Sequence, residues 1–149
     1  MTRRLQEIEN QLRRPARAGL YSIPSADVDA CARIARALQL REICVNLTGC
    51  ADKAGLLQCV SRAYAFPEWF GHNWDALADA LGDLSWLPSE GYLTLVRGIA
   101  SLPPGIDEDT ATLLEILGET ADDWTADGIP FWILVEEGAP GIKPLSAPD

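Results

Sequence analysis

Phe66-Pro67-Glu68-Trp69-Phe70-Gly71-His72-Asn73-Trp74-Asp75-Ala76-Leu77-Ala78-Asp79-Ala80-Leu81-Gly82-Asp83-Leu84 divides at Gly71 into an aromatic, turn-rich half and a helical half. Asn73 stands where it can cap a helix, and Trp74, Leu77 and Leu81 then fall on one side of it. Asp75, Asp79 and Asp83 stand at i, i+4 and i+8, so they project together, away from those apolar residues. One face reads as core and the other as carboxylate. Like charges at i,i+4 weaken a helix by roughly 0.2–0.5 kcal/mol per pair, and Asp is a poor interior helix former. Only Asp75, in the first turn, gains from the helix dipole. A cationic partner would supply the counter-charge this stripe lacks, although exposed acidic helices are also commonly just solvated.

Outward from this helix the chain alternates between strand and helix signals. Ile43-Cys44-Val45-Asn46-Leu47, closed by Thr48-Gly49, reads as a buried strand. From Asp52 to Ala65 the residues Leu56, Leu57, Val60 and Tyr64 give an amphipathic helix ending before Phe66-Pro67. Tyr92-Leu93-Thr94-Leu95-Val96 reads as a second strand, residues 107–125 return to helical spacing, and Phe131-Trp132-Ile133-Leu134-Val135 is a third strand, continuously apolar. Continuous strands separated by helices predict an α/β fold with a three-stranded parallel sheet packed with helices.

Ahead of this lies a helix near residues 3–14, a short extended piece Leu20-Tyr21-Ser22-Ile23, and a second helix from Ser25 that Ser25 or Asp27 can cap. These predict a helical amino-terminal extension over residues 1–41, a main domain over 42–137, and a flexible Gly-Pro tail over 138–149.

Charge is unevenly divided. Residues 1–42 carry a net of +3 and residues 43–149 a net of −13, within an overall −10. A body this acidic repels phosphate backbones and attracts basic proteins, so direct nucleic-acid binding is not expected. Arg3, Arg4, Arg13, Arg14 and Arg17 read as the solvated face of the first helix, with contact to RNA or an acidic protein as the alternative. No apolar run of about 18 residues occurs and the charged amino terminus lacks a secretory pattern, so no membrane association and a cytoplasmic location are expected. Cys31, Cys44, Cys50 and Cys59 lack paired metal-site spacing and are expected as reduced, mostly buried thiols; a Cys50–Cys59 disulfide is conceivable. The single histidine, His72, has no nucleophile, metal set or oxyanion motif around it, so the chain is expected to be neither an enzyme nor a binder of metal or cofactor. Trp74 and Trp132 read as core, whereas Trp69 and Trp86 are open between packing and recognition.

The run Pro67-Glu68-Trp69-Phe70-Gly71-His72-Asn73-Trp74-Asp75-Ala76-Leu77 resembles the loop and second helix of the barstar family of ribonuclease inhibitors, and the element order over residues 42–136 is similar as well. The resemblance implies a cytosolic inhibitor, expected as a monomer, that protects its bacterial producer. It would block the active site of a basic extracellular-type (barnase-type) ribonuclease, with carboxylates standing in for RNA phosphates. It maps Asp75 and Asp79 onto the family's helix carboxylates, with Asp83 continuing the stripe. Trp69 falls on an aromatic that packs against the enzyme, Asn73 on the capping asparagine and Gly71 on the turn glycine. Asp123 corresponds to the acidic residue of the last helix, with Asp122 and Glu119 as alternatives. Ala78 and Leu84 stand where the family carries aromatics, which weakens or moves those two contacts. A fold retained for regulation or scaffolding, binding a protein that is not a nuclease, is the alternative.

Overall fold

A computed structural model describes residues 2–67, 71–137 and 139–145. Helix α1 (Thr2–Leu12) leads through a 3-10 turn at Pro15–Arg17 into strand β1 (Leu20–Ile23), a second 3-10 turn (Ser25–Asp27) and α2 (Val28–Ala37). There follow β2 (Arg41–Asn46), α3 (Lys53–Ala63), α4 (Trp74–Asp83), β3 (Tyr92–Arg97), α5 (Asp107–Ala126) and β4 (Phe131–Glu136). The strands form one parallel sheet in the order β1-β4-β3-β2.

The α/β class and parallel sheet agree with the sequence, but the sheet has four strands where three were expected. The fourth is the extended piece Leu20–Ile23, which pairs with β4 from Leu20↔Ile133 to Ile23↔Glu136. Its four residues are too few for an alternation to register, and what makes them a strand is the otherwise open edge of β4. The outer edge of β1 is covered in turn: Ser22 N–H donates to the Lys143 carbonyl at 2.8 Å and Leu145 N–H to the Ser22 carbonyl at 3.0 Å. Residues 143–145, expected within a flexible tail, are therefore held against the sheet, with Leu145 buried. A bare strand edge offers unpaired backbone groups, which this segment satisfies.

The two central strands explain their own apolar continuity. Along β3 and β4, Tyr92, Val96, Phe131, Ile133 and Val135 face one core and Leu93, Leu95, Trp132 and Leu134 face the other. Both faces are covered, so alternation between apolar and polar residues is lost. Helices α3, α4 and α5 cover the first face through residues such as Leu57, Val60, Leu77, Leu81, Leu113 and Leu117. Thr94 is the polar position there, hydrogen-bonded to the buried Tyr64 hydroxyl, whose pKa burial pushes up. The second face is covered by Ile8 and Leu12 of α1 and by Val28, Cys31, Ala32 and Ala35 of α2. The amino-terminal segment thus supplies both a strand and a layer of core.

Two local expectations change. Strand β2 was expected to be buried, but it lies at the sheet edge, with Ile43 and Val45 inward and Cys44 exposed. For α2, Ser25 lies within the 3-10 turn, and Asp27 holds the capping position without a side-chain capping bond. That 3-10 turn feeds directly into the helix, so the first helical amides meet a continuing backbone rather than a side-chain oxygen.

Candidate functional site

The acidic face stands on α4. Asn73 begins this helix from an extended backbone (φ −139°), with its Oδ1 accepting the Ala76 N–H at 2.8 Å and its Nδ2 donating to the Gly71 carbonyl at 3.3 Å. One side chain therefore fixes both the first turn and the loop entering it. Asn73→Ala is expected to lower stability by about 1 kcal/mol, whereas Asn73→Asp should nearly restore it. Thermal unfolding of the three proteins checks this, and equal melting temperatures would remove the cap from the account.

Beside Gly71, which the resemblance maps onto a turn glycine, His72 has a left-handed backbone, at φ 55°. A Cβ at Gly71 would make snug contact, at 3.4 Å, with both Ala76 Cβ and Asn73 Nδ2. Nothing in the sequence marks His72 for that role beyond histidine's modest tolerance of positive φ. Trp69, the aromatic assigned to partner contact, lies outside the described residues.

Past the cap, Leu77, Ala80 and Leu81 are fully buried, while Asp75, Asp79 and Asp83 are exposed. Ala78 and Gly82 are exposed too, with nothing within 4 Å of where a Gly82 Cβ would stand. The outer surface of the helix therefore consists of carboxylates and very small residues, on a backing that cannot rotate without unpacking the core. Leu84 closes the helix from a left-handed conformation (φ 46°) and is itself buried, so this position offers no surface contact. Trp74 is half-buried against the core with the Lys53 ammonium 5.4 Å from its ring centroid, a cation–π contact joining the first turns of α3 and α4. Trp86 is also half-buried; its Nε1–H donates to the Tyr64 carbonyl at 2.9 Å and its ring meets Phe66 edge-on at 5.8 Å. Packing accounts for both tryptophans.

Helix α5 is tied to α4 by Trp124, whose Nε1–H donates to the Leu81 carbonyl at 2.8 Å. Asp122 lies on the opposite flank, its Oδ1 3.7 Å from where a Gly19 Cβ would be. At about 100° per residue, Asp123 stands between these flanks, exposed and directed outward beside the α4 contact. Asp123 is thus better placed than Asp122 to extend the acidic face of α4. The anchoring role of Trp124 was not legible, because its place in the apolar stripe of α5 says only that it is inward. Among the described residues no group of three or more His, Cys, Asp or Glu could hold a metal ion. No helix among them is long and apolar enough to cross a membrane.

The acidic face thus stands on a core-backed helix that follows β2 and α3 and precedes β3 along the chain. The family model described as Barstar (barnase inhibitor) matches residues 40–136. The chain belongs to the barstar family. No curated protein matches it. The matched span takes in β2 through β4 with α3, α4 and α5 between them, and it leaves out α1, β1 and α2. This barstar-family chain therefore carries its acidic helix inside the matched region, while the strand and helices covering the second face of the sheet lie before it. The family's description is that of a protein inhibitor, so the partner class it implies is a protein.

Proposed function

We propose that this protein is a stoichiometric inhibitor of a basic, barnase-type ribonuclease. It acts in the cytoplasm as a monomer and occupies the enzyme's active site with α4 and the loop before it. The observation that carries this reading is the exposed row Asp75, Asp79 and Asp83 on a helix whose opposite face, Leu77, Ala80 and Leu81, is fully buried. A ribonuclease active site gathers Arg and Lys side chains to hold a polyanion. Carboxylates fixed on one rigid face meet those cations without loss of backbone freedom. Asp79, in the middle of the row, is the central anchor; Asp75 and Asp83 meet flanking cations, Asp123 adds charge from α5, and Trp69 seals the rim. The net charge of −10 accelerates encounter with a basic enzyme.

Titrating a barnase-type ribonuclease with the protein at low ionic strength should remove activity linearly to a one-to-one endpoint. Added salt should slow association more than it speeds dissociation. Full activity at micromolar excess of the protein would overturn the reading.

One observation favours a second reading, in which the same face binds a basic protein that is not a nuclease. Ala78 and Gly82 leave the helix surface without an aromatic, and Leu84 is turned into the core. A partner whose own bulky side chains fill that shelf fits the surface equally well, and such a partner would leave the ribonuclease titration flat.

A further inference from the structure

Cys50, ahead of the Asp52 cap of α3, meets Cys59 in the body of that helix. Cys50 follows the turn after β2, where its N–H donates to the Leu47 carbonyl at 3.0 Å, and its side chain is buried. Cys59 is half-buried on α3. Their sulfurs are 3.0 Å apart, whereas a disulfide bond is about 2.05 Å long. Gly55, one helical turn before Cys59 and on the same side, faces the Cys50 segment. A Cβ at Gly55 would lie 3.7 Å from both Cα and Cβ of Cys50 and 3.3 Å from the capping oxygen of Asp52. A longer side chain there would push Cys50 off the helix. Sequence separation also suits closure, because the nine-residue step from Cys50 to Cys59 spans the cap and the first turns of α3.

We propose that Cys50 and Cys59 are a redox pair that closes reversibly to an intrachain disulfide by exchange with a small-molecule disulfide such as oxidised glutathione. The more accessible Cys59 reacts first. Its thiolate attacks one sulfur of the small disulfide, a bond forms between Cys59 and that half, and the other half leaves as a thiolate. Cys50 then gives its proton to solvent and attacks the Cys59 sulfur, forming the intrachain bond and expelling the second small thiolate. Two protein thiols are oxidised and one small disulfide is reduced to two thiols. Burial, and then the hydrogen bond to Cys59, push the free Cys50 thiol up to about 12, so Cys50 is the poorer first nucleophile of the two. Closure clamps the first turns of α3, where Lys53 sits over Trp74 at the head of α4.

The test uses full-length protein carrying Cys44→Ser, which removes the exposed thiol on β2 and leaves the pair untouched. The reduced, folded protein is incubated with oxidised glutathione, freed of the reagent and analysed by mass and by thiol titration in denaturant. The expected result is a loss of about two mass units and of two thiols, a digest fragment joining Cys50 to Cys59, and full reversal by a reducing agent. The closed form should melt about 5–10 °C higher than the reduced form. The further variant Cys50→Ser should instead stop at a stable glutathione adduct on Cys59. A persistent adduct in the protein that keeps Cys50, a bridge that includes Cys31, or an unchanged mass with all three thiols retained over the time in which the unfolded chain oxidises would each overturn the proposal. Because the readout is thiol chemistry, its outcome does not depend on ribonuclease inhibition.

Discussion

Asp79→Ala is expected to weaken inhibition of the target ribonuclease by about 2–5 kcal/mol, a loss of roughly 30-fold to several thousand-fold in affinity, while slightly stabilising the inhibitor. The two effects have one origin. In the free protein Asp79 is exposed, flanked at i−4 and i+4 by Asp75 and Asp83, with Leu77, Ala80 and Leu81 fixing the helix from behind. Each like-charge neighbour weakens the helix by roughly 0.2–0.5 kcal/mol, and alanine is the better helix former, so the substitution relieves the free state. In the proposed complex the balance reverses: cations drawn out of water against the middle carboxylate would be left buried and unpaired. Asp75 and Asp83, at the ends of the row and nearer solvent, should show smaller losses. Inhibition constants for the three alanine variants, beside their melting temperatures, check the pattern. Unchanged inhibition by the Asp79 variant would sink the α4 mechanism, and a drop in its melting temperature would show that Asp79 has a structural role the exposed geometry does not provide.

Much of the architecture was written locally. The strands at 43–47, 92–96 and 131–135 and the helices between them announced themselves because both sheet faces are covered, which makes the central strands continuously apolar, and because each helix needs a stripe of one period. The Asn73 cap and the register of Asp75, Asp79 and Asp83 were legible for the same reason, each depending on neighbours within a turn or two. What escaped was set at a distance. Leu20–Ile23 is a strand only because β4 offers an edge, and residues 143–145 are ordered only because β1 then offers another. The hydrogen-bond partner of Trp124 is on another element, so composition and spacing say nothing of it, whereas the Cys50 and Cys59 pair was open to reading because the two stand nine residues apart. His72 takes a left-handed backbone at φ 55°, and no local sequence signal marks it for that.

A protein shortened to residues 40–149, which keeps the whole span matched by the barstar family, is expected not to fold cooperatively. The cut removes α1, β1 and α2 and uncovers Leu93, Leu95, Trp132 and Leu134, all of them at most 3% exposed in the full chain. At about 1.5–3 kcal/mol for each large side chain returned to water, these four alone account for roughly 6–12 kcal/mol. That is comparable with the entire stability of a typical domain, about 5–15 kcal/mol. One group gains from the cut: Trp132 Nε1 is buried without a hydrogen-bond partner among the described residues, and water would satisfy it, but that offsets only about 1–3 kcal/mol. The cut also bares the edge of β4 and removes the strand on which residues 143–145 rest, leaving an apolar edge open to association. Circular dichroism with thermal unfolding, and the dispersion of amide resonances, distinguish the outcomes. A cooperative melt within a few degrees of the full chain would mean that the second sheet face can repack or associate without its cover. The amino-terminal segment would then have to be explained as something other than a layer of the core.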